Sequence, residues 1–132
     1  MEITLHRLSG KVFEGMNSLG GKVIVNADKD SNAGGESPME MVLVGLAGCS
    51  SSDVVVILEK QKEPLTALDV TVKAERAEGY PAVFTAINLS YTASGVSAEK
   101  LQKAVDLSME KYCSVAAMLS KTAKISYTCT VI

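Results

Sequence analysis

Apolar and polar residues alternate in short, glycine-broken runs over the first third of the chain. That period of two predicts strands rather than helices. Candidate strands run over 2–8, 11–16 and 22–27, divided at Gly10 and at Gly20-Gly21. The stretch 28–36, with Asp30, Asn32 and Gly34-Gly35, reads as a loop.

The pattern then changes. Ser37 is a good N-cap, Pro38 suits the first helical position, and Glu40 stands where a capping box needs it. The helix can continue to about Lys62, with Pro64 as its stop. Such a rod is roughly 39 Å long, against a radius of gyration of about 14 Å for a domain of this size. It is therefore expected to run centrally through the molecule. From Met41 to Ser52 it is apolar or small on every side, as in helices buried all round. One sheet covers one face only. Gly45, Gly48, Ser51 and Ser52 keep the surface low, so the other face is expected to pack on its own copy in a dimer.

Beyond the helix, Leu68, Val70, Val72 and Ala74 alternate with polar neighbours, as do Val83, Ile87, Leu89 and Tyr91. These two strands are joined through Gly79-Tyr80-Pro81. Ser97 caps a second helix, with Val96 and Leu101 set for a hydrophobic staple. Leu101, Ala104, Val105 and 108–112 carry its inner face. A short helical segment, 114–120, leads to a last strand over 124–132. The predicted order is β-β-β-α-β-β-α-α-β, an α+β fold.

The 132 residues suit one domain spanning 1–132, and 47% apolar residues can fill one core. With 5% aromatics and no Trp, that core must be chiefly aliphatic. The net charge of −2, from 13 basic and 15 acidic residues, lacks the basic footprint of a nucleic-acid binder. Small-molecule or protein partners are the expectation, with no nucleic acid. The N-terminal segment, bearing Glu2, His6 and Arg7, lacks the apolar run of a signal peptide. The uncharged stretch from Met41 to Ser52 is shorter than the about 20 residues a bilayer crossing takes. A cytoplasmic protein without membrane association is expected. Its three cysteines, an odd number at unrelated spacings, form no disulfide framework.

His-Glu-x-x-His, Gly-x-Ser-x-Gly and Cys-x-x-Cys are all absent. Residues 15–22 superficially resemble a phosphate loop, but Gly21 separates Gly20 from Lys22 and Val23 stands where Ser or Thr belongs. They read as a hairpin. His6 is the one histidine, in an alternating strand, so neither a metal site nor a cofactor is expected. Cys129 is in phase with Ile125, Tyr127 and Val131, which points it into the core as a small hydrophobe. Cys49 lies mid-helix between Gly48 and Ser50, where burial and reactivity are both open readings. Cys113 follows Tyr112 at a helix junction. There the macrodipole would favour a thiolate, with plain packing as the alternative.

The residues around these two cysteines carry a resemblance. The run Ser37-Pro38-Met39-Glu40-Met41, Leu46-Ala47-Gly48-Cys49, Asp53-Val54-Val55 and Ile57-Leu58 is followed by Leu107-Ser108, then 110–115 (Glu-Lys-Tyr-Cys-Ser-Val). Together with Pro81, Phe84 and Ile87 it resembles the OsmC/Ohr family over nearly the whole chain, closest to the YhfA-like branch. The resemblance implies an OsmC-like fold and an intertwined homodimer with long central helices back to back. It also implies a thiol-dependent peroxidase that reduces organic or inorganic hydroperoxides and is regenerated by a dithiol. Cys49 would attack the O–O bond and Cys113 would resolve the sulfenic acid as a disulfide. Glu40 matches the glutamate with which the family organises its reactive thiol, although the capping box accounts for it equally well. The family arginine is not matched: Arg7 and Arg76 lie elsewhere, and Lys22 and Lys29 offer charge without a planar fork. A non-catalytic or ligand-binding dimer of the same fold is the alternative expectation.

Overall fold

The computed structural model describes residues Met1–Ile132, which form two compact units, Met1–Val44 and Gly45–Ile132. The first unit holds an antiparallel sheet of β1 (Ile3–Ser9), β2 (Val12–Asn17) and β3 (Lys22–Asn26), in that order. The phosphate-loop lookalike is a hairpin. Asn17 Oδ1 accepts from the Leu19 and Gly21 N–H groups at 2.9 and 2.8 Å, and Gly20 takes φ +86°. In the loop that follows, Gly35 sits at φ +77°, where a Cβ would collide with the Ile24 carbonyl oxygen.

Helix α1 (Pro38–Lys60) begins with the expected capping box. Ser37 Oγ accepts from the Glu40 N–H at 3.3 Å, and Glu40 Oε1 accepts from the Ser37 N–H at 3.0 Å. It ends slightly earlier than the pattern suggested. Lys62 turns to φ 57°, the Glu63 N–H reaches the Leu58 carbonyl and the Lys62 N–H that of Glu59, a Schellman-type stop.

The second unit is built on β4 (Ala67–Arg76), β5 (Phe84–Ser94) and β6 (Lys124–Val131), in spatial order β4-β5-β6. Strand β5 pairs antiparallel with β4 and parallel with β6. A parallel pair needs a crossover. Helix α2 (Ala98–Leu107), a π-helical turn (Ser108–Tyr112) and α3 (Ser114–Leu119) supply it. Ser97 Oγ caps α2 by accepting from the Lys100 N–H at 3.2 Å, and both staple residues, Val96 and Leu101, are buried. The mixed order is the α+β arrangement the sequence predicts, with the π-turn as an addition. Sequence periodicity ran α2 straight through 108–112. The chain instead widens there, and the Cys113 N–H bonds the Ser108 carbonyl five residues back at 2.7 Å.

The core lies between the inner face of β5 and the helices. Ile87, Leu89, Tyr91 and Ala93 of β5 meet Leu101, Ala104 and Val105 of α2, and α1 adds Leu46, Ser50, Val54 and Leu58, all essentially inaccessible. That stripe recurs every fourth residue, as a helix laid on a sheet requires. Within one chain α1 is not buried all round as its composition suggested. Val42, Val44 and Val56 stay exposed, and a Cβ at Gly45 or Gly48 would meet nothing within 4 Å. The helix is 23 residues long with a mean hydropathy of 2.0 in its most apolar window, enough to suit a bilayer by length. Its buried stripe and an inward-bonded Asp53 mark it as the core helix of a packed domain.

Candidate thiol site

Two elements of the second unit bring the chemistry together. Helix α1 carries Cys49, Ser50 and Asp53 on adjacent positions of one turn, and the π-turn delivers Ser108 and Cys113 from the crossover. Cys49 is half-buried, Cys113 is 3% exposed, and both are free thiols. Cys49 lies near enough to Cys113 to perturb its ionisation.

Burial pushes the Cys113 thiol up from 9.0 to about 11. The Ala116 N–H, which donates to its Sγ at 3.4 Å, pulls the other way, while the neighbouring Cys49 and the charge of Asp53 add to the rise. The sequence left a thiolate and plain packing both open at the start of α3. The helix N–H is present, but desolvation outweighs it, so Cys113 keeps its proton at neutral pH.

Behind the cysteines runs a buried chain of hydroxyls. Tyr91 Oη lies 2.6 Å from Ser50 Oγ, Ser50 Oγ lies 3.0 Å from Ser108 Oγ, and Ser108 Oγ lies 2.9 Å from Asp53 Oδ2. An ionised carboxylate only accepts, so Ser108 gives its one proton to Asp53. The same Ser108 hydroxyl also faces Ser50 Oγ and the Ser50 carbonyl as a donor, and either Ser50 or Tyr91 can donate the bond between those two. Burial raises the Tyr91 phenol to about 12 against the pull of that Ser50 bond, with the charges of Cys113, Cys129 and Asp53 reinforcing the rise. No buried side-chain polar atom is left without a partner.

A groove of about 380 Å³ opens beside this cluster, lined by Asp53, Val56, Ile57, Lys60, Leu107 and Tyr112 among others. It is mainly apolar, with a single cation at Lys60. A larger hollow of about 510 Å³ lies over Lys73, Glu75, Asn88 and Lys124 and shares no residue with the cysteines.

A helix-borne thiol paired with a second one from the crossover on this α+β frame is matched by one family description, OsmC-like protein, over residues 21–128. The chain belongs to the OsmC-like family. It is 38% identical over 129 residues to the protein YhfA of Escherichia coli K12, covering 96% of this chain and 95% of that one. A hypothetical protein from Aquifex aeolicus VF5 has a crystal structure that superposes with a TM-score of 0.84 at 33% identity, over 99% and 96% of the two chains. The organic hydroperoxide resistance protein OhrB of Bacillus subtilis shares the fold, with a TM-score of 0.68 at 14% identity over 97% and 96%.

In this OsmC-like chain the other candidates are placed as follows. Glu40 is fully exposed, and its carboxyl is held below the usual range by the Ser37 side-chain and backbone hydrogen bonds of the capping box. Cys129 keeps the phase of Ile125, Tyr127 and Val131 but is half-buried, and burial lifts it to about 11. Arg7 donates its Nε–H to the Gly10 carbonyl and Arg76 donates to that of Ala82, both at 2.9 Å. Ser50, Asp53, Tyr91 and Ser108 were given no place in the site by sequence reasoning. One signal was available: Asp53 is the only charge between Met41 and Leu58 in an otherwise apolar helix.

Proposed function

We propose that this OsmC-like protein is a cysteine-based hydroperoxide reductase working without metal or organic cofactor. The Cys49 thiolate attacks the distal oxygen of ROOH, the O–O bond breaks, and alkoxide leaves and takes a proton from water to become ROH, giving Cys49–SOH. Cys113 then attacks that sulfur, its proton and the hydroxyl departing as water, and a Cys49–Cys113 disulfide remains. An external dithiol returns both cysteines to the thiol state and is itself oxidised to a disulfide. The observation that carries this reading is the unequal pair: Cys49 half-open, and near it a buried Cys113 that retains its proton.

The reading places the protein in the cytoplasm, where a reduced thiol pool keeps the pair ready. It also places the working unit in a homodimer, whose second copy covers the open Gly45, Gly48 and Val56 side of α1. Glu40 is proposed to serve the reactive thiol through the carboxylate oxygen its capping bond leaves free.

A non-catalytic or ligand-binding dimer is the second reading. One observation favours it: both arginines of the chain are committed to turn carbonyls through Nε, at positions unlike the family arginine. Stopped-flow oxidation of Cys49 by a bulky alkyl hydroperoxide and by hydrogen peroxide separates the two. Fast, saturable oxidation supports the enzyme; a rate no greater than that of a free thiol supports the binding dimer.

A further inference from the structure

The buried hydroxyl chain does more than satisfy its own polar atoms, because one of its members touches both cysteine-bearing segments. Ser108 opens the π-turn that ends at Cys113, and its carbonyl accepts the Cys113 N–H at 2.7 Å. Its hydroxyl, fully buried, bonds in the opposite direction to α1: it donates to Asp53 Oδ2 at 2.9 Å and lies 3.0 Å from Ser50 Oγ and 3.4 Å from the Ser50 carbonyl. Cys49 immediately precedes Ser50. A single residue therefore ties the backbone presenting Cys113 to the helical turn presenting Cys49.

We propose that Ser108, anchored by Asp53, is the positioning residue that holds Cys113 ready to capture a modified Cys49 sulfur. The inference rests on Cys113 acting as the resolving thiol of the reaction proposed above. A π-turn closes its hydrogen bond over five residues instead of four and occurs as a rare single-turn interruption of an α-helix. Without an external tie its end can unwind, carrying Cys113 away. Disulfide formation tolerates little such movement, since the Cα atoms must come within about 7 Å with the Cβ vectors facing. Ser108 supplies the tie, and Asp53 fixes its hydroxyl through a charge-assisted bond. Three ionisable groups face Cys113 from the packed elements: Cys49 and Asp53 from α1, and Tyr91 from β5.

Capture can be timed without any hydroperoxide. A thionitrobenzoate group placed on Cys49 as a mixed disulfide is expelled when Cys113 attacks, forming the Cys49–Cys113 bond and releasing a coloured thiolate. Wild-type protein should release it in an intramolecular, concentration-independent step. Ser108→Ala and Asp53→Ala should slow the release by about tenfold or more, as loss of orientation does. Asp53→Asn keeps an acceptor oxygen and should stay within about threefold of wild type, with its rate profile moved to lower pH because the carboxylate charge no longer opposes Cys113 ionisation. Ile87→Ala, a cavity in the same core away from the pair, should lower stability and leave release unchanged. Equal release from wild type, Ser108→Ala and Asp53→Ala would overturn the proposal, as would equal slowing by Ile87→Ala. A wild-type protein that releases the label yet ignores hydroperoxides leaves Ser108 in its role and removes the peroxidase reading.

Discussion

Cys113 approaches Cys49 from a position that is 3% exposed, while Cys49 itself is only half-buried. A reagent in solvent therefore meets Cys49 first. Cys113→Ser should leave the first oxidation of Cys49 within about twofold of wild type and abolish its return by disulfide formation. Mass spectrometry of that variant after peroxide treatment should find sulfenic, then sulfinic, acid at Cys49. Recovery of a fully reduced Cys49 would deny it the role of nucleophile.

Glu40 offers a clean separation of two roles. Gln also completes the capping box, so Glu40→Gln should leave thermal stability close to wild type, losing only the charge at the helix N-terminus. If the carboxylate also serves the thiol, Cys49 oxidation should slow by about tenfold. We expect the slower rate with near-native thermal stability. Identical oxidation rates would confine Glu40 to capping.

The open side of α1 predicts assembly. In one chain a side chain at Gly48 meets only open space, so Gly48→Leu should fold with unchanged helix content. Against a second copy of the helix the same leucine separates two closely packed backbones, and sedimentation should show the dimer dissociating. A variant that stays dimeric and equally stable, or a wild type that is monomeric at micromolar concentration, contradicts the proposed interface.

Alkaline pH should weaken the reduced fold. Cys113 and Cys129 titrate at about 11 when folded against 9.0 as free groups, and Tyr91 at about 12 against 10.0. As pH rises the unfolded chain loses these protons first. The stability they confer is thus complete below pH 9.0 and declines progressively up to about 12. Urea unfolding across that window should record the loss, and Cys129→Ala should make it shallower. A flat profile would mean that these groups are more solvated than their burial implies.

Much of this was legible in the residues. The Ser37/Glu40 box, the Ser97 cap with its Val96 staple and the alternation along β5 are local signals, and each produced its element. The α1 terminus came slightly early because Lys62 adopts a left-handed conformation that propensity does not advertise. The π-turn was invisible because its cause is tertiary: Ser108 is drawn to Asp53 and Ser50, far away in sequence. The same applies to Tyr91, whose inward phase was readable but whose partner on α1 was not. Cys113 was left open between a thiolate and plain packing. Its place before a helix argued for a thiolate, and only packing reveals that desolvation wins.

The pairing of the two cysteines is tested most directly by treating reduced protein with one equivalent of hydroperoxide and mapping its peptides. The expected product is a Cys49–Cys113 disulfide within one chain, formed with loss of both thiols and reversed by a dithiol, with Cys129 still free. A Cys49 that remains a free thiol after prolonged exposure, or a disulfide that joins Cys129 instead, would contradict it.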